Sequence, residues 1–410
     1  MSEQNNIPKH WQLKKLGKVC AKISLNKIKI KQKDYLVEGK HPVVDQGQEL
    51  IGGYYNDEKL VIPSDPPFVI FGDHTKVKKF IDFKFIPGAD GVKVLKPDAS
   101  LDSKFFYYLI HTVKIPDKGY ARHFQFLEKE FIPIPPLPEQ QAIVAKIEEL
   151  LSELENGKQQ LLTAQQQLKV YRQSLLKWAF EGRFGYAQRP PNSVKDGELP
   201  KGWKKVKVSE ISNVVRGGSP RPAGDPKFYD GKIPFLKVRD ITKDSGTYLT
   251  TFEYTIKDAG LHKTRQIKPN TLLLSNSGAT LGVPKICMID ATMNDGIAAF
   301  LELDQRSNLF LYYFWLSKTR ELRNINMGAA QPNLNTDIIK NYLVPYCSFE
   351  EQQLIVSELE SKLTVCDKIE ETISQSLQQA EMLRQSILKK AFEGKLVTTE
   401  VKTSKKNELV

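Results

Sequence analysis

Asp65-Pro66-Pro67-Phe68 formally matches the short tetrapeptide used by amino-group methyltransferases. Such an enzyme also needs a glycine-rich cofactor turn of the FxGxG kind after a strand, and the chain has none. A proline turn accounts for the same four residues. Asp34 followed by Glu38-Gly39-Lys40 approaches a nuclease D…ExK pattern, but the spacing is short and suits a surface loop. No GxxxxGK[ST] offers a phosphate-cradling loop for ATP. The histidines His10, His41, His74, His111, His123 and His262 fall in no HExxH or other metal-ligand spacing, so no metal site is expected. Ser219 and Ser277 sit near glycines without a GxSxG setting. Cys20, Cys287, Cys347 and Cys366 form no CxxC pair, which suits a reducing cytoplasm and argues against a zinc ribbon or a disulfide framework. A self-contained methyltransferase using Asp65-Pro66-Pro67-Phe68 stays as the alternative reading; the expectation is a chain that is not itself an enzyme.

Other residues have types suited to binding a polyanion. His74, Thr75 and Lys76 lie in Gly72-Asp73-His74-Thr75-Lys76, and Tyr120, Arg122 and His123 follow Gly119. Arg216, Ser219 and Arg221 flank Gly217-Gly218, and Lys237 and Arg239 stand one residue apart. Asn276, Ser277 and Thr280 surround Gly278, and Gln331 and Asn333 follow Gly328. Glycine lets backbone approach phosphate, while Arg, Lys, Asn, Gln and Ser can read base edges. Any one of these loops taken alone reads more readily as a solvated polar turn.

The elements that carry them are duplicated. Glu139-Gln140-Gln141 returns as Glu351-Gln352-Gln353, Arg172-Gln173-Ser174 as Arg384-Gln385-Ser386, and Ala179-Phe180-Glu181-Gly182 as Ala391-Phe392-Glu393-Gly394, all at an offset of 212. Upstream, Pro8-Lys9-His10-Trp11 answers Pro200-Lys201-Gly202-Trp203, and Asp90-Gly91 answers Asp295-Gly296. The offset grows from 192 to 212, so the second copy has small insertions. Corresponding loops are polar in both copies yet differ in chemistry, as two DNA readers with different targets would.

After Pro133, Pro135, Pro136 and Pro138, residues 139–182 read as one long helix. Ile143, Ile147, Leu150, Leu154, Gly157, Leu161, Ala164, Leu168, Tyr171, Leu175 and Trp178 mark a seam at alternating spacings of 3 and 4, the pattern of coiled-coil pairing, with only Gly157 and Ala164 small. The second seam is Ile355, Leu359, Cys366, Ile369, Ile373, Ala380, Leu383 and Ile387, interrupted by Lys362, Ser376 and Lys390. Gly182 and Gly394 suit helix C-caps. A rod of about 66 Å cannot be buried inside a small globular unit, so the two helices are expected to pair with each other, antiparallel.

The regions between them mix short β-rich runs (67–71, 77–83 and 92–95; then 234–238, 271–274 and 297–303) with helices at 103–112 and 307–322. Each reads as an α+β unit with an irregular, mainly antiparallel sheet plus helices. The net charge of +12 divides as +6 over 1–136, −1 over 137–182, +9 over 183–346, −4 over 347–394 and +2 over the tail. The basic blocks point to a polyanion. The longest apolar run, Leu309 to Leu316, is too short to cross a membrane, and the first residues show no secretion leader, so the expected location is cytoplasmic.

These landmarks together resemble the specificity (S) subunit of a type I restriction–modification system. The resemblance rests on Pro8-Lys9-His10-Trp11 and Pro200-Lys201-Gly202-Trp203, on Pro136-Leu137-Pro138-Glu139-Gln140-Gln141 and Phe349-Glu350-Glu351-Gln352-Gln353, and on the two Ala-Phe-Glu-Gly segments. It implies two target-recognition domains (1–136 and 199–346), each reading half of a bipartite DNA site. A central helical spacer (137–182) and a C-terminal one (347–394), paired as an antiparallel coiled coil, would set the gap and dock two methyltransferase subunits. Residues 183–198 would be a linker and 395–410 a polar tail. Restriction subunits would join that core, and S-adenosylmethionine, Mg and ATP would belong to those partners, with none bound by this chain. One departure stands out: the first copy has Arg122-His123-Phe124 where the second has the family-like Gln331-Pro332-Asn333.

Overall fold

Leu137–Phe180 and Phe349–Phe392 are each a single helix of 44 residues. The structure, a computed structural model, describes residues 7–25, 28–88, 91–116, 118–119, 121–184, 198–278, 280–325 and 334–397. Each long helix ends in a Schellman turn. The Arg183 amide donates to the Trp178 carbonyl (3.0 Å) and the Lys395 amide to Lys390 (2.8 Å). Gly182 and Gly394 supply the left-handed residue, at φ +67° and +70°. A Cβ at Gly182 would overlap the Pro200 ring, and one at Gly394 the Pro8 ring. The Pro-Lys-x-Trp and Ala-Phe-Glu-Gly landmarks thus recur because they pack on one another.

The chain divides into two compact units, and the division runs through the middle of both long helices: Met1–Leu162 with Ser374–Val410, and Thr163–Ile373. In the first unit a four-stranded antiparallel sheet has the order Cys20–Ile23, Val92–Pro97, Phe68–Gly72, Lys78–Ile81. A smaller sheet pairs His41–Val44 antiparallel to Gly53–Tyr55 and parallel to Ile86–Pro87. A ribbon joins Gln12–Lys15 to Phe131–Ile134. The helix Ser103–Thr112 is capped by Asp102 and buries Phe105, Phe106, Leu109 and Ile110 against the larger sheet. The same cluster takes in Ile143 and Ile147 of one long helix and Leu388, Ala391 and Phe392 of the other. Full burial of a side chain such as Ile147 stabilises by about 2–3 kcal/mol.

The second unit repeats this scheme. Its larger sheet runs Asn213–Arg216, Ile297–Leu301, Thr271–Ser275, Pro284–Cys287, then Tyr248–Leu249 in parallel. Its smaller sheet runs Tyr254–Ile256, Tyr229–Leu236, Ala291–Met293, Arg265–Ile267, again with one parallel pairing. The ribbon is Lys204–Lys207 with Leu343–Tyr346, and the helix Asn308–Ile325 covers the larger sheet. The expected single irregular sheet is therefore two sheets and a ribbon, with the insertions adding short strands at the edges.

Within each unit the long-helix segments run antiparallel. In the second, Arg172 donates to Asp367 (2.6 Å) and Glu370 (3.0 Å), while Lys362 approaches the Phe184 ring. In the first, Leu151–Lys158 faces Leu377–Arg384 across a small groove. Ile147, Leu168, Leu175, Leu359, Ile373 and Ile387 are buried on the inner faces, and Leu150, Leu154 and Leu161 are half-buried. Four seam residues are corrected. Tyr171 and Trp178 of one helix, and Ile369 (44% exposed) and Leu383 (51%) of the other, lie outside, while Ala179 and Ala391 turn inward. A straight helix drifts by about 20° per heptad from a 3.5-residue repeat, so the buried stripe moves one residue over.

The Glu-Gln-Gln landmark fastens each helix start. Glu139, almost buried, accepts from Trp11 Nε1 (3.0 Å) and pairs with His10 Nε2 (2.9 Å). Gln140 accepts from the Asp102 amide (2.7 Å) and donates to Ser100 and Pro135; Gln352 donates to Cys347 likewise. Tyr313 donates to Glu360 (3.1 Å), and Tyr108 faces the equivalent Glu148. Burial and that carboxylate push the Tyr108 phenol up to about 12.

Candidate nucleic-acid interface

In the second unit the candidate loops meet at one turn, Asn294-Asp295-Gly296. The Asn276 amide donates to the Gly296 carbonyl (2.9 Å), and the Leu334 amide to the Asn276 carbonyl (2.7 Å). The Val238 and Ser277 side chains both lie close to where a Cβ on Gly296 would stand, so a larger residue there would have to displace them. Gly217 and Gly218 pack so closely on the backbone of Met293, Asn294 and Lys263 that no side chain fits. Asp295 then gathers the basic turn. Its carbonyl accepts from Arg216 Nε (2.5 Å), its Oδ1 from Ser219 Oγ (2.6 Å), and its Oδ2 lies 3.7 Å from Arg221.

Lys237 holds its ammonium 3.3 Å from the centre of the Tyr254 ring, and exposed Arg239 lies 3.6 Å from Glu253. Buried Asp240 organises both, accepting from the Lys237 (2.8 Å) and Glu253 (3.1 Å) amides. Thr280 is half-buried, and its carbonyl accepts from Ser275 Oγ (2.7 Å). Asn276 is wholly buried, and among the described residues neither side-chain atom has a hydrogen-bond partner, so the structure holds it inside the loop and away from solvent. Gln331 and Asn333 lie outside the described residues, as does Tyr120 of the first unit.

The first unit repeats the scheme with different side chains. The Asp73 amide donates to Gly91 (2.7 Å) and the His123 amide to the Asp73 carbonyl (2.8 Å), the counterparts of the Asn276 contacts. Here Asp73, buried, accepts from the Phe124 amide (2.8 Å) and pairs with Lys93 (3.1 Å). At the matching places the second unit has Asn276 and Ala298: charge and countercharge have gone together. Gln46 packs against Gly91, accepts from the His74 amide (3.2 Å), and its carbonyl accepts from Thr75 Oγ1 (2.7 Å). His74 Nδ1 lies 3.2 Å from the Ala121 carbonyl. Lys76 takes a left-handed conformation (φ 59°) and closes the turn. Arg122 is exposed, but His123 is fully buried with Nδ1 3.0 Å from the Asp73 carbonyl. His123 therefore braces the loop and offers nothing to solvent.

Sequence reasoning passes over five residues that position these loops. Asp73, Gln46 and Asp295 tie them together. Lys79 and Lys285 occupy the same place in the two larger sheets, both almost fully buried. Lys79 holds the Glu49 carbonyl and Lys285 the Gly246 carbonyl, and Lys285 also pairs with Asp244 (2.6 Å). The recurring Asp-Gly pair was the available signal for Asp295. The charge of a buried lysine has no counterpart in hydrophobic periodicity.

The two catalytic patterns are structural. Phe68 is buried edge-on against Phe85, and Asp65 is an exposed carboxylate 2.8 Å from Lys84, which holds it below the usual carboxylate range. Lys40 pairs with Glu58 (3.5 Å) on the surface, not with Asp34 or Glu38. Among the described residues no group of acidic, His or Cys side chains could hold a metal, and no helix is long and apolar enough to cross a membrane.

The model of the type I restriction modification DNA specificity domain matches residues 8–164 and again 200–379. The chain belongs to that family. Among relatives of this specificity-domain chain, the EcoBI specificity subunit of Escherichia coli is 30% identical over 288 residues, covering 66% of this chain and 59% of the relative. The EcoR124I/EcoR124II specificity subunit of Escherichia coli is 23% identical over 383 residues, covering 88% and 89%. The match to the MjaIX specificity subunit of Methanocaldococcus jannaschii spans 38% of that protein. The HsdS subunit from Thermoanaerobacter tengcongensis shares the fold at a TM-score of 0.60 and 20% identity, covering 96% of this chain and 100% of that one. A chain from work on complex assembly and conformational transition of the type I R-M system aligns at 0.70, with 20% identity and coverage of 95% and 99%. The specificity-domain family supplies no support for a self-contained methyltransferase.

Proposed function

We propose that this chain is the DNA sequence-recognition subunit of a type I restriction–modification complex, each unit reading one half of a bipartite double-stranded target. One observation carries the reading: the two units build the same loop cluster on the same sheet order but equip it differently. Asp73, His74, Thr75 and Lys76 stand in one where Asn276, Ser277 and Thr280 stand in the other. A scaffold for a single ligand has no reason to keep the frame and vary the chemistry. In this reading the chain is not an enzyme, works in the cytoplasm and binds no cofactor; S-adenosylmethionine, Mg and ATP act on methyltransferase and restriction partners.

The long helices would space the half-sites and dock two methyltransferase subunits. Exposed apolar side chains at equivalent outer positions, Val170 and Tyr171 on one helix and Met382 and Leu383 on the other, support two copies of one partner. Mapping modified bases genome-wide with and without the gene tests the reading: a two-part motif should vanish with it. A modification pattern indifferent to the gene would refute it.

A further inference from the structure

We infer that Asp295 is a specificity-determining residue of the second unit: its carboxylate denies the basic turn to phosphate and favours a base edge that carries an amino group. The inference rests on the DNA-reading function proposed above and adds a residue and a discrimination to it. Arg216, Ser219 and Arg221 are groups that grip phosphate oxygens, and Gly217-Gly218 brings the backbone close behind them. In their midst stands one carboxylate, 2.6 Å from Ser219 Oγ and 3.7 Å from the Arg221 guanidinium, with the Arg216 Nε on its own main-chain carbonyl. The Asp295 and Arg221 side chains are 42% and 71% exposed, so the cluster faces solvent and can meet a ligand.

A carboxylate only accepts. It repels a phosphate brought to the same arginines, and it is matched by the exocyclic amino group of cytosine in the major groove. A unit selected for affinity alone would have no acid there, least of all within a stretch whose net charge is +9. The turn is also where the other loops meet, through Gly296 against Val238 and Ser277. In the first repeat the same position is Asp90, so the sequence places an acid beside this Gly twice.

The test uses the full chain co-expressed with its methyltransferase partner. Asp295→Asn keeps the size and the Ser219 contact but removes the charge. Binding to a random-sequence duplex of about 30 base pairs should tighten by about 3- to 10-fold. The slope of log affinity against log salt should steepen by about 0.9 for each phosphate newly held. The modification motif should become degenerate in one half only. Ser219→Ala, which keeps the charge, should leave random-duplex affinity within about twofold of the parent. An Asp295→Asn complex with unchanged motif and unchanged random-duplex binding, or one that binds random duplex more weakly, overturns the inference. So does a Ser219→Ala complex that behaves like Asp295→Asn. A parent complex that yields no two-part motif at all would instead sink the DNA-reading function, and the two failures are told apart by the parent alone.

Discussion

Asp73 and Lys93 form a buried pair in the first unit, and the second unit has Asn and Ala at the same places, so the double variant Asp73→Asn/Lys93→Ala should be milder than its parts. Asp73 is 3% exposed and Lys93 26%. Lys93→Ala leaves a buried carboxylate that keeps, among the described residues, the Phe124 amide as hydrogen-bond partner, a cost of about 2–3 kcal/mol after discounting the partial exposure of the lysine. Asp73→Asn keeps an acceptor for that amide but strands the ammonium, at about 1–2 kcal/mol. Independent effects would add to about 4 kcal/mol. With both changes no charge remains, and the cost should fall to about 1–2 kcal/mol, a coupling of about 2 kcal/mol. Hydrogen exchange by mass spectrometry over Phe68–Gly72 and Val92–Pro97 reads this unit locally, which global unfolding of a two-unit chain does not. Additivity within 0.5 kcal/mol would refute the claim that the two repeats exchanged a charge pair for a neutral one.

Glu139→Ala should destabilise the first unit by about 2 kcal/mol, because it strands the buried Trp11 indole N–H, and Glu139→Gln by less; thermal unfolding followed through Trp11 would show the difference. Arg172→Ala should cost under about 1 kcal/mol, since its carboxylate partners are largely exposed, whereas Leu175→Asp should cost more than 4 kcal/mol and abolish partner assembly on size-exclusion chromatography. His111, held down to about 4 by burial and by the nearby Lys78 and Arg384 cations, is neutral in the folded unit where the unfolded chain would be charged. The unfolded state therefore binds more protons, and stability should decline as pH falls from about 6.5 to 4. His111→Asn should flatten that slope in urea titrations. Burial raises the Tyr108 phenol to about 12, so stability should also fall above pH 10, and Tyr108→Phe should remove that part of the loss.

How legible all this was depended on the range of the interaction. The long helices were written in the prolines before them, the glycines after them and the apolar seam between. The duplicated landmarks identified the two units because Pro8, Trp11, Glu139 and Gly394 each serve a contact that tolerates little else. The seam failed at Tyr171, Trp178, Ile369 and Leu383, because a heptad ruler laid on a helix of nearly 3.6 residues per turn accumulates error with length. In the loops, a polar sequence implies exposure. That held for Arg122, Arg239 and Arg221, and not for His123 and Asn276, whose burial depends on which distant turn closes over them. The buried Lys79 and Lys285 were invisible for the same reason.

Because the unit boundary cuts both long helices, the first unit is discontinuous in the chain while the second, Thr163–Ile373, is one unbroken stretch. A ribosome making this protein finishes the inner stretch before it has supplied Leu388, Ala391 and Phe392, which the outer one needs for its core. The amino-terminal portion must therefore wait, with the apolar surface that those three side chains cover left open, for the last segment to be translated. Birth order and closing order are inverted, and a message cut short after residue 373 would release a polypeptide whose later-made part is complete and whose earlier-made part is not.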